Sequence, residues 1–220
     1  MANLPGPTEG LPATAHVITQ PTPQGYAANA NDGIAATSAP YVAIANPDAI
    51  AQPGAVETLV AFAEQHPRAG VIGPTMVYAD GSWQASRRAF PTVLGTIVRR
   101  TPLRLLFDPK KWQKKHYLLD DRPTVPVQAD WLLGGFLLLR REMVDDIGGL
   151  DAGFRLYGED IDLGYRAAQH GWERWLVPDA LVQHRYGAVI DQKFLSMRTW
   201  WHLRGMVRFV RKHPESLLGR

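Results

Sequence analysis

The apolar residues of this chain come in short runs, and each run is cut off by a turn. YVAIAN (41–46) ends in Asn46-Pro47-Asp48, AGVIGPTMVY (69–78) stops just before Asp80-Gly81, and ADWLLGGFLLLRR (129–141) is broken by Gly134-Gly135. Short apolar runs bounded by turn formers are the pattern of buried strands. Between them lie segments with helical character. YAANANDGIAAT (26–37) is Ala-rich. AVETLVAFAEQH (55–66) repeats Val56, Leu59, Val60 and Ala63, with Pro53-Gly54 before it and Pro67 behind it. REMVDDIGG (141–149) ends on glycines, and EDIDLGYRAAQHG (159–171) starts with acids and ends at Gly171. WERWLVP (172–178) and ALVQHRYG (180–187) read as two further strands. Strands alternating with helices predict an α/β layered fold with a mainly parallel sheet flanked by helices.

Several classes are excluded. The longest apolar run, Trp131 to Leu139, includes two glycines, and a spanning helix needs about 20 apolar residues. Zero cysteines remove disulfides, thiolate metal sites and thiol catalysis. At 220 residues with 45% hydrophobic and 20% charged residues, the chain can bury a core as one substantial domain or two small ones. Residues 1–24 carry five prolines and two glycines and read as an irregular lead-in with room for one short strand at His16–Thr19. The first twenty residues show no secretory signal, so the expected location is cytoplasmic.

The net charge of +3 hides an uneven distribution. Between residues 87 and 115, Arg87, Arg88, Arg99, Arg100, Arg104, Lys110, Lys111, Lys114 and Lys115 stand against the single acid Asp108, and all but Arg87 and Arg88 fall in a proline-punctuated insertion at 90–126. Residues 191–220 read as a basic amphipathic helix, with Met197, Trp200, Trp201, Leu203, Val207 and Val210 at helical spacings and Arg204, Arg208 and Arg211 alongside. Such fields suit phosphates or an anionic lipid surface, and the helix equally suits packing on its own domain with a solvated basic face. No zinc-finger, helix-turn-helix or RNA-recognition signature accompanies the charge, so no nucleic-acid partner is expected.

Four sites have chemical potential. Asp48 lies beyond a strand end, where α/β sheets bind ligands and a carboxylate can hold a divalent ion; an ordinary Asx-Pro turn explains the same tripeptide. Glu159 and Asp160 open a helix, where capping accounts for one acid better than for three in four positions; Asp160 is the candidate general base and Glu159 its substitute. His184 ends a strand and is able to complete a metal shell begun by Asp48. Trp131 offers either a stacking face for a sugar or a core residue, beside a Gly134-Gly135 break that lets a ligand or backbone approach.

In order, GYAANANDG (25–33), YVAIANPD (41–48), GVIGPTMVYADGSWQASRRAF (70–90), DWLLGGFLLLRR (130–141) and GGLDAGFRLYGEDIDLGYRAAQHGW (148–172) resemble the family-2 glycosyltransferases of GT-A fold, in particular the bacterial rhamnosyltransferase type with NPD in place of DxD. The resemblance covers about residues 24–190. It implies a glycosyltransferase domain over 25–190 and inverting transfer of a sugar, rhamnose in the named type, from a nucleotide-diphosphate donor to a lipid-linked or polysaccharide acceptor at the inner face of the cell membrane. It implies that Asp48 and His184 bind Mn²⁺ or Mg²⁺, that Asn31, Asn46 and Asp48 contact the donor, that Trp131 and Gly134 shape the acceptor pocket, and that Asp160, with Glu159, is the base. Full-length relatives begin with a βαβ unit that has no counterpart before residue 24, and Pro23 replaces a usual Asn. An N-terminally shortened sheet with an exposed apolar edge is therefore expected. The alternative is a non-catalytic relative that scaffolds a membrane assembly.

Overall fold

Period-two alternation sorts the central strands onto two faces. In the computed structural model, which describes residues 11–90, 118, 121–185 and 197–218, Val71, Leu137 and Leu139 face one side of the sheet, and Ile72, Phe136 and Leu138 face the other. Helix α1 (Tyr26–Ala35), helix α3 (Arg141–Ile147) and helix α4 (Glu159–Gln169) cover the first face through Ala27, Ala30, Ile34, Met143, Val144, Leu163 and Ala167. Helix α2 (Ala55–Gln65) covers the second through Ala55, Leu59 and Ala63, the i, i+4, i+8 stripe that an amphipathic helix presents. The result is a three-layer α/β/α arrangement.

The sheet order is β1 (Tyr41–Ala45), β8 (Phe136–Arg140), β3 (Ala69–Val77), β9 (Glu173–His184) and β2 (Ala49–Ala51), with β4 (Trp83–Gln84) paired to β3 and β6 (Val127–Gln128) to β9. β5 (Arg87–Arg88) and β7 (Trp131–Leu132) form a separate two-stranded piece. The sheet is mixed. β3 and β9 pair in parallel, whereas β1–β8, β8–β3 and β9–β2 are antiparallel. β1, β3 and β9 therefore run in one direction and bring their carboxyl ends to one edge of the sheet. β1 and β2 are the outer strands of this path.

Three expectations are revised. WERWLVP and ALVQHRYG are not two strands but one, β9, whose register against β3 shifts between Pro74/Val177 and Thr75/Leu181. Pro178 lacks an N–H for the ladder, and a bulge absorbs it without ending the strand. β2, directly after Asn46-Pro47-Asp48, was not expected. Residues 16–19 form no strand. Of the basic insertion, residues 91–117, 119 and 120 lie outside the described residues.

The last helix, α5 (Met197–Lys212), packs on the domain. Met206 and Phe209 join Trp131, Phe154, Ile161 and Tyr165 in a third apolar cluster. Gly205 makes the approach possible, because a Cβ there would stand 2.5 Å from the Tyr157 carbonyl oxygen. Among the described residues no helix is long and apolar enough to cross a membrane.

Candidate active site

The carboxyl edge of the sheet gathers most of the candidate residues. Because β2 pairs antiparallel with β9, Ala49 stands opposite His184. The residue before Ala49 thereby meets the end of β9, and Asp48 Oδ1 lies 3.3 Å from His184 Nε2. The Asn46 side-chain nitrogen lies 3.3 Å from the same Nε2. On the other side of the ring, His184 Nδ1 is 3.2 Å from Gln84 Oε1. An amide oxygen can only accept, so Nδ1 carries a proton, and Nε2 is left to accept from the Asn46 amide N–H beside Asp48. That is the tautomer a metal-binding imidazole needs, oriented by an outer partner in the usual way. Among the described residues no group of three or more His, Cys, Asp or Glu is arranged to hold a metal ion by itself. Asp48 and His184 would supply two ligands, leaving further positions to phosphate oxygens and water, a division that suits a hard divalent cation.

The second cluster is the acid pair. Tyr157 (φ 68°) and Gly158 (φ 95°) both adopt left-handed backbone, which is strained for tyrosine, and this turn delivers Glu159 and Asp160 to the first turn of α4. Asp160 accepts from two backbone amides, Gly134 N at 3.2 Å and Ile161 N at 2.9 Å. Glu159 is buried, and its Oε2 has no hydrogen-bond partner. Burial, and then the neighbouring Asp160 charge, push the Glu159 carboxyl up to about 8. Burial also raises Asp160, but the two backbone donors and the Arg88 guanidinium oppose that rise. The two carboxyls titrate as a pair. The one with donors ionises first, and Glu159 keeps the proton.

Gly134 and Gly135 join these clusters. A Cβ on Gly134 would stand 3.5 Å from Asp160 Cβ, while one on Gly135 would stand 3.0 Å from Met76 Cε and 3.3 Å from His184 Cε1. The two glycines thus separate the acid pair from the Asp48–His184 pair by a strip of bare backbone. Tyr26, at the start of α1, donates its hydroxyl to the Gly134 carbonyl at 3.0 Å. Burial, then the Glu159 and Asp160 charges, hold that hydroxyl well above its ordinary range. Burial lowers Arg88 to about 10, against the pull of Asp160, so it stays cationic at neutral pH.

Two expected site residues have other surroundings. Asn31 clamps the Leu150 backbone with both ends of its amide, Nδ2 to the carbonyl at 2.7 Å and Oδ1 from the N–H at 2.9 Å. It ties α1 to the turn after α3 and does not join the cluster at the sheet edge. Trp131 is 6% exposed, in contact with α4 rather than open to a sugar. Its indole N–H donates to Ala89 O at 2.9 Å. A Cβ on Gly164 would come within 2.7 Å of the Trp131 Cβ, so this glycine lets α4 lie against it. Trp131 supports the wall of the site from behind. Tyr26, Gln84 and Arg88 were missed as site residues. All three lie inside the motifs of the resemblance, but only the fold brings Tyr26 to Gly134, Gln84 to His184 and Arg88 toward Asp160.

Known proteins resemble this chain in sequence and in fold. The family described as "Glycosyltransferase like family 2" matches residues 8–202. An N-acetylglucosaminyl-diphospho-decaprenol L-rhamnosyltransferase of Mycobacterium tuberculosis is 34% identical over 152 residues, covering 66% of this chain and 46% of that protein. Rhamnosyltransferase WbbL of Escherichia coli K12 is 33% identical over 82 residues, 37% of this chain and 31% of its own length. The chain thus spans less than half the length of these relatives. A crystal structure of GalNAc-T7 with UDP, GalNAc and Mn²⁺ superposes with a TM-score of 0.59 at 17% identity, over 88% of this chain and 36% of that one, which establishes the likeness of fold. With a mixed sheet flanked by helices and a match over most of its length, the chain belongs to the family-2 glycosyltransferases and has the GT-A fold.

Proposed function

We propose that this chain transfers a sugar from a nucleoside diphosphate donor to a lipid-linked acceptor, with inversion at the sugar carbon. The named relatives make rhamnose the first donor sugar to test. The observation that carries the reading is the pair of clusters on either side of Gly134-Gly135: a buried acid pair and an Asp–His pair suited to a cation.

Asp160 acts as the general base. Its anion is held by Gly134 N and Ile161 N, and neutral Glu159 beside it adds no second charge. The acceptor hydroxyl gives its proton to an Asp160 oxygen while that hydroxyl oxygen bonds to the anomeric carbon. The bond from that carbon to the donor phosphate breaks, and its electron pair leaves with the nucleoside diphosphate. One base on one face suffices for inversion. Asp48 and His184 would hold Mn²⁺ or Mg²⁺, which when bound neutralises the leaving diphosphate. Asn46 lies next to that position. The reaction belongs at the inner face of the cell membrane, where a lipid-linked acceptor lies.

Calorimetric titration of nucleoside diphosphates and nucleotide sugars, with and without Mn²⁺, tests the donor half. The expected result is metal-dependent binding of one nucleotide class that Asp48→Ala abolishes. Metal-independent binding that Asp48→Ala leaves intact would remove Asp48 from the metal site. No binding by a folded sample would favour a non-catalytic scaffold.

A further inference from the structure

Away from the sheet edge, a cavity of about 620 Å³ opens between α5 and the loop before α4. Its wall carries five cations, Arg155, Arg204, Arg208, Arg211 and Lys212, and a single carboxylate, Asp151. That carboxylate is fully engaged. It accepts from Arg208 Nη2 at 2.7 Å and from Lys212 Nζ at 2.8 Å. Although burial alone would raise it, these donors hold the Asp151 carboxyl well below its ordinary range. Asp151 therefore offsets part of the charge of Arg208 and Lys212, and Lys212 also donates to the buried Asp162 at 3.1 Å. Among the described residues no carboxylate forms an ion pair with Arg155, Arg204 or Arg211. Arg155 and Arg204 instead hold their guanidinium carbons 5.1 and 5.8 Å from the Trp201 ring centroid, where the ring restrains them without neutralising them.

The groove is built by close backbone approach. Gly205 lies under the Tyr157 carbonyl, and Gly153 under the Arg208 guanidinium. It also adjoins the reactive edge. The Arg155 carbonyl accepts from Tyr26 N at 3.1 Å, and the Tyr26 hydroxyl reaches Gly134 O beside Asp160. Along the chain, Arg155 is separated from Glu159 only by Leu156, Tyr157 and Gly158. On the outer side of α5, the apolar side chains of Trp200, Leu203 and Val207 are exposed at 57%, 37% and 52%, and Val207 is part of the groove wall. Spacings of three and four put them on one stripe of the helix.

We infer that this groove holds the diphosphate of the lipid-linked acceptor, with Arg155, Arg204 and Arg211 on the phosphates and the lipid chain leaving across Trp200, Leu203 and Val207. The inference rests on the glycosyltransferase reading for the presence of an acceptor, but its binding chemistry stands without the base. A diphosphate bridging a sugar and a lipid carries one negative charge on each phosphorus. Arginine is suited to it because its planar fork reaches two phosphate oxygens at once. The adjoining apolar stripe accounts for the lipid, which a free nucleotide or inorganic phosphate would leave uncovered.

The test is calorimetry on the full chain with chelator present, so that a metal-dependent donor site stays silent. The probes are farnesyl diphosphate, farnesol, inorganic pyrophosphate, and phosphatidylcholine vesicles with and without phosphatidylglycerol. Farnesyl diphosphate should bind more tightly than farnesol or pyrophosphate. Arg204→Glu/Arg211→Glu, with both sites exposed and the fold checked by thermal unfolding, should weaken it by about tenfold or more, and Arg155→Ala should act in the same direction. Arg204→Lys/Arg211→Lys, which keeps the charge, should lose less. Asp160→Asn should bind as wild type does. Unchanged affinity in the folded charge-reversal variant would overturn the inference. So would binding to phosphatidylglycerol vesicles, sensitive to the same variant, without binding of farnesyl diphosphate; the patch would then read a membrane head group. Normal turnover by Asp160→Asn would sink the base assignment while the groove result stood.

Discussion

Helix α4 carries three acids in its first turn, and two of them two residues apart have opposite surroundings. Asp162 is fully buried and saturated with cations. It accepts from Arg166 Nε at 2.7 Å, His213 Nε2 at 2.8 Å and Lys212 Nζ at 3.1 Å. Asp160, with Glu159 beside it, receives only backbone amides on its oxygens, and burial pushes both carboxyls up. At about 100° per residue, Asp162 turns toward α5, while Asp160 turns toward Gly134. Asp162 anchors the last helix to the domain. The pair before it has no side-chain cation bonded to its oxygens, and burial raises the proton affinity of both carboxyls.

The largest effect should come from the reactive member of that contrast. Asp160→Asn keeps the shape but has one acceptor oxygen in place of two, so it keeps one of the two backbone contacts, and it cannot take a proton. Turnover should fall by about 10²–10⁴-fold, the usual share of general-base catalysis, with donor affinity little changed. Single-turnover kinetics beside a donor titration would separate the two. Near-normal turnover would show that another group takes the proton.

The anchoring member should show a comparable free-energy effect, on folding rather than on rate. Asp162→Ala leaves the buried His213 and the guanidinium of Arg166 facing an empty site, and removing one partner of a buried ion pair typically destabilises by about 3–5 kcal/mol. Urea unfolding would measure it. Limited proteolysis should cut α5 first, because Lys212 and His213 both reach Asp162 from that end. A loss near that expected for a surface ion pair would mean that the Met206 and Phe209 contacts hold the helix alone.

The two acids differ in how far the sequence reveals them. That Glu159-Asp160-Ile161-Asp162 begins a helix is local information: acids at a helix start, a glycine before them and another after the last turn. The strand ends at Asn46 and the break at Gly134-Gly135 are local too, which is why the layered class and the approximate edge of the site are readable. Pairing is not local. His184 meets Asp48 because β2 runs back along β9, and β2 is three residues with no signal of its own. Gln84 reaches His184 across 100 residues of chain, and Arg88 influences Asp160 across 72. Trp131 shows the same limit from the other side. Its composition fits a stacking platform, but only Gly164, one turn into a distant helix, decides that α4 closes over it. Asn31 sits in a recognisable motif, yet its amide partner, the Leu150 backbone, is visible only once α1 lies against the turn after α3.

Glu159 gives the smallest and most specific test of the contrast. Its carboxyl ionises near 4.5 in the ordinary state and about 8 in the fold. Across that window the folded chain holds a proton that the unfolded chain has released. Stability should therefore fall as pH rises from about 4.5 to about 8, with a slope of at most about 1.4 kcal/mol per pH unit, and level off above. Glu159→Gln removes the titration, so its gain over wild type should be larger in unfolding experiments at pH 8 than at pH 5. Parallel pH profiles for the two proteins would show that Glu159 has no raised affinity for its proton. Repeating the pair in the Asp160→Asn background sharpens the result. The Asp160 charge is one cause of the rise, so its removal should shrink the window from the alkaline end while burial keeps the remainder. The same pair of experiments on Asp162→Asn should leave the Glu159 window in place, because the charge of Asp162 is already met by Arg166, His213 and Lys212.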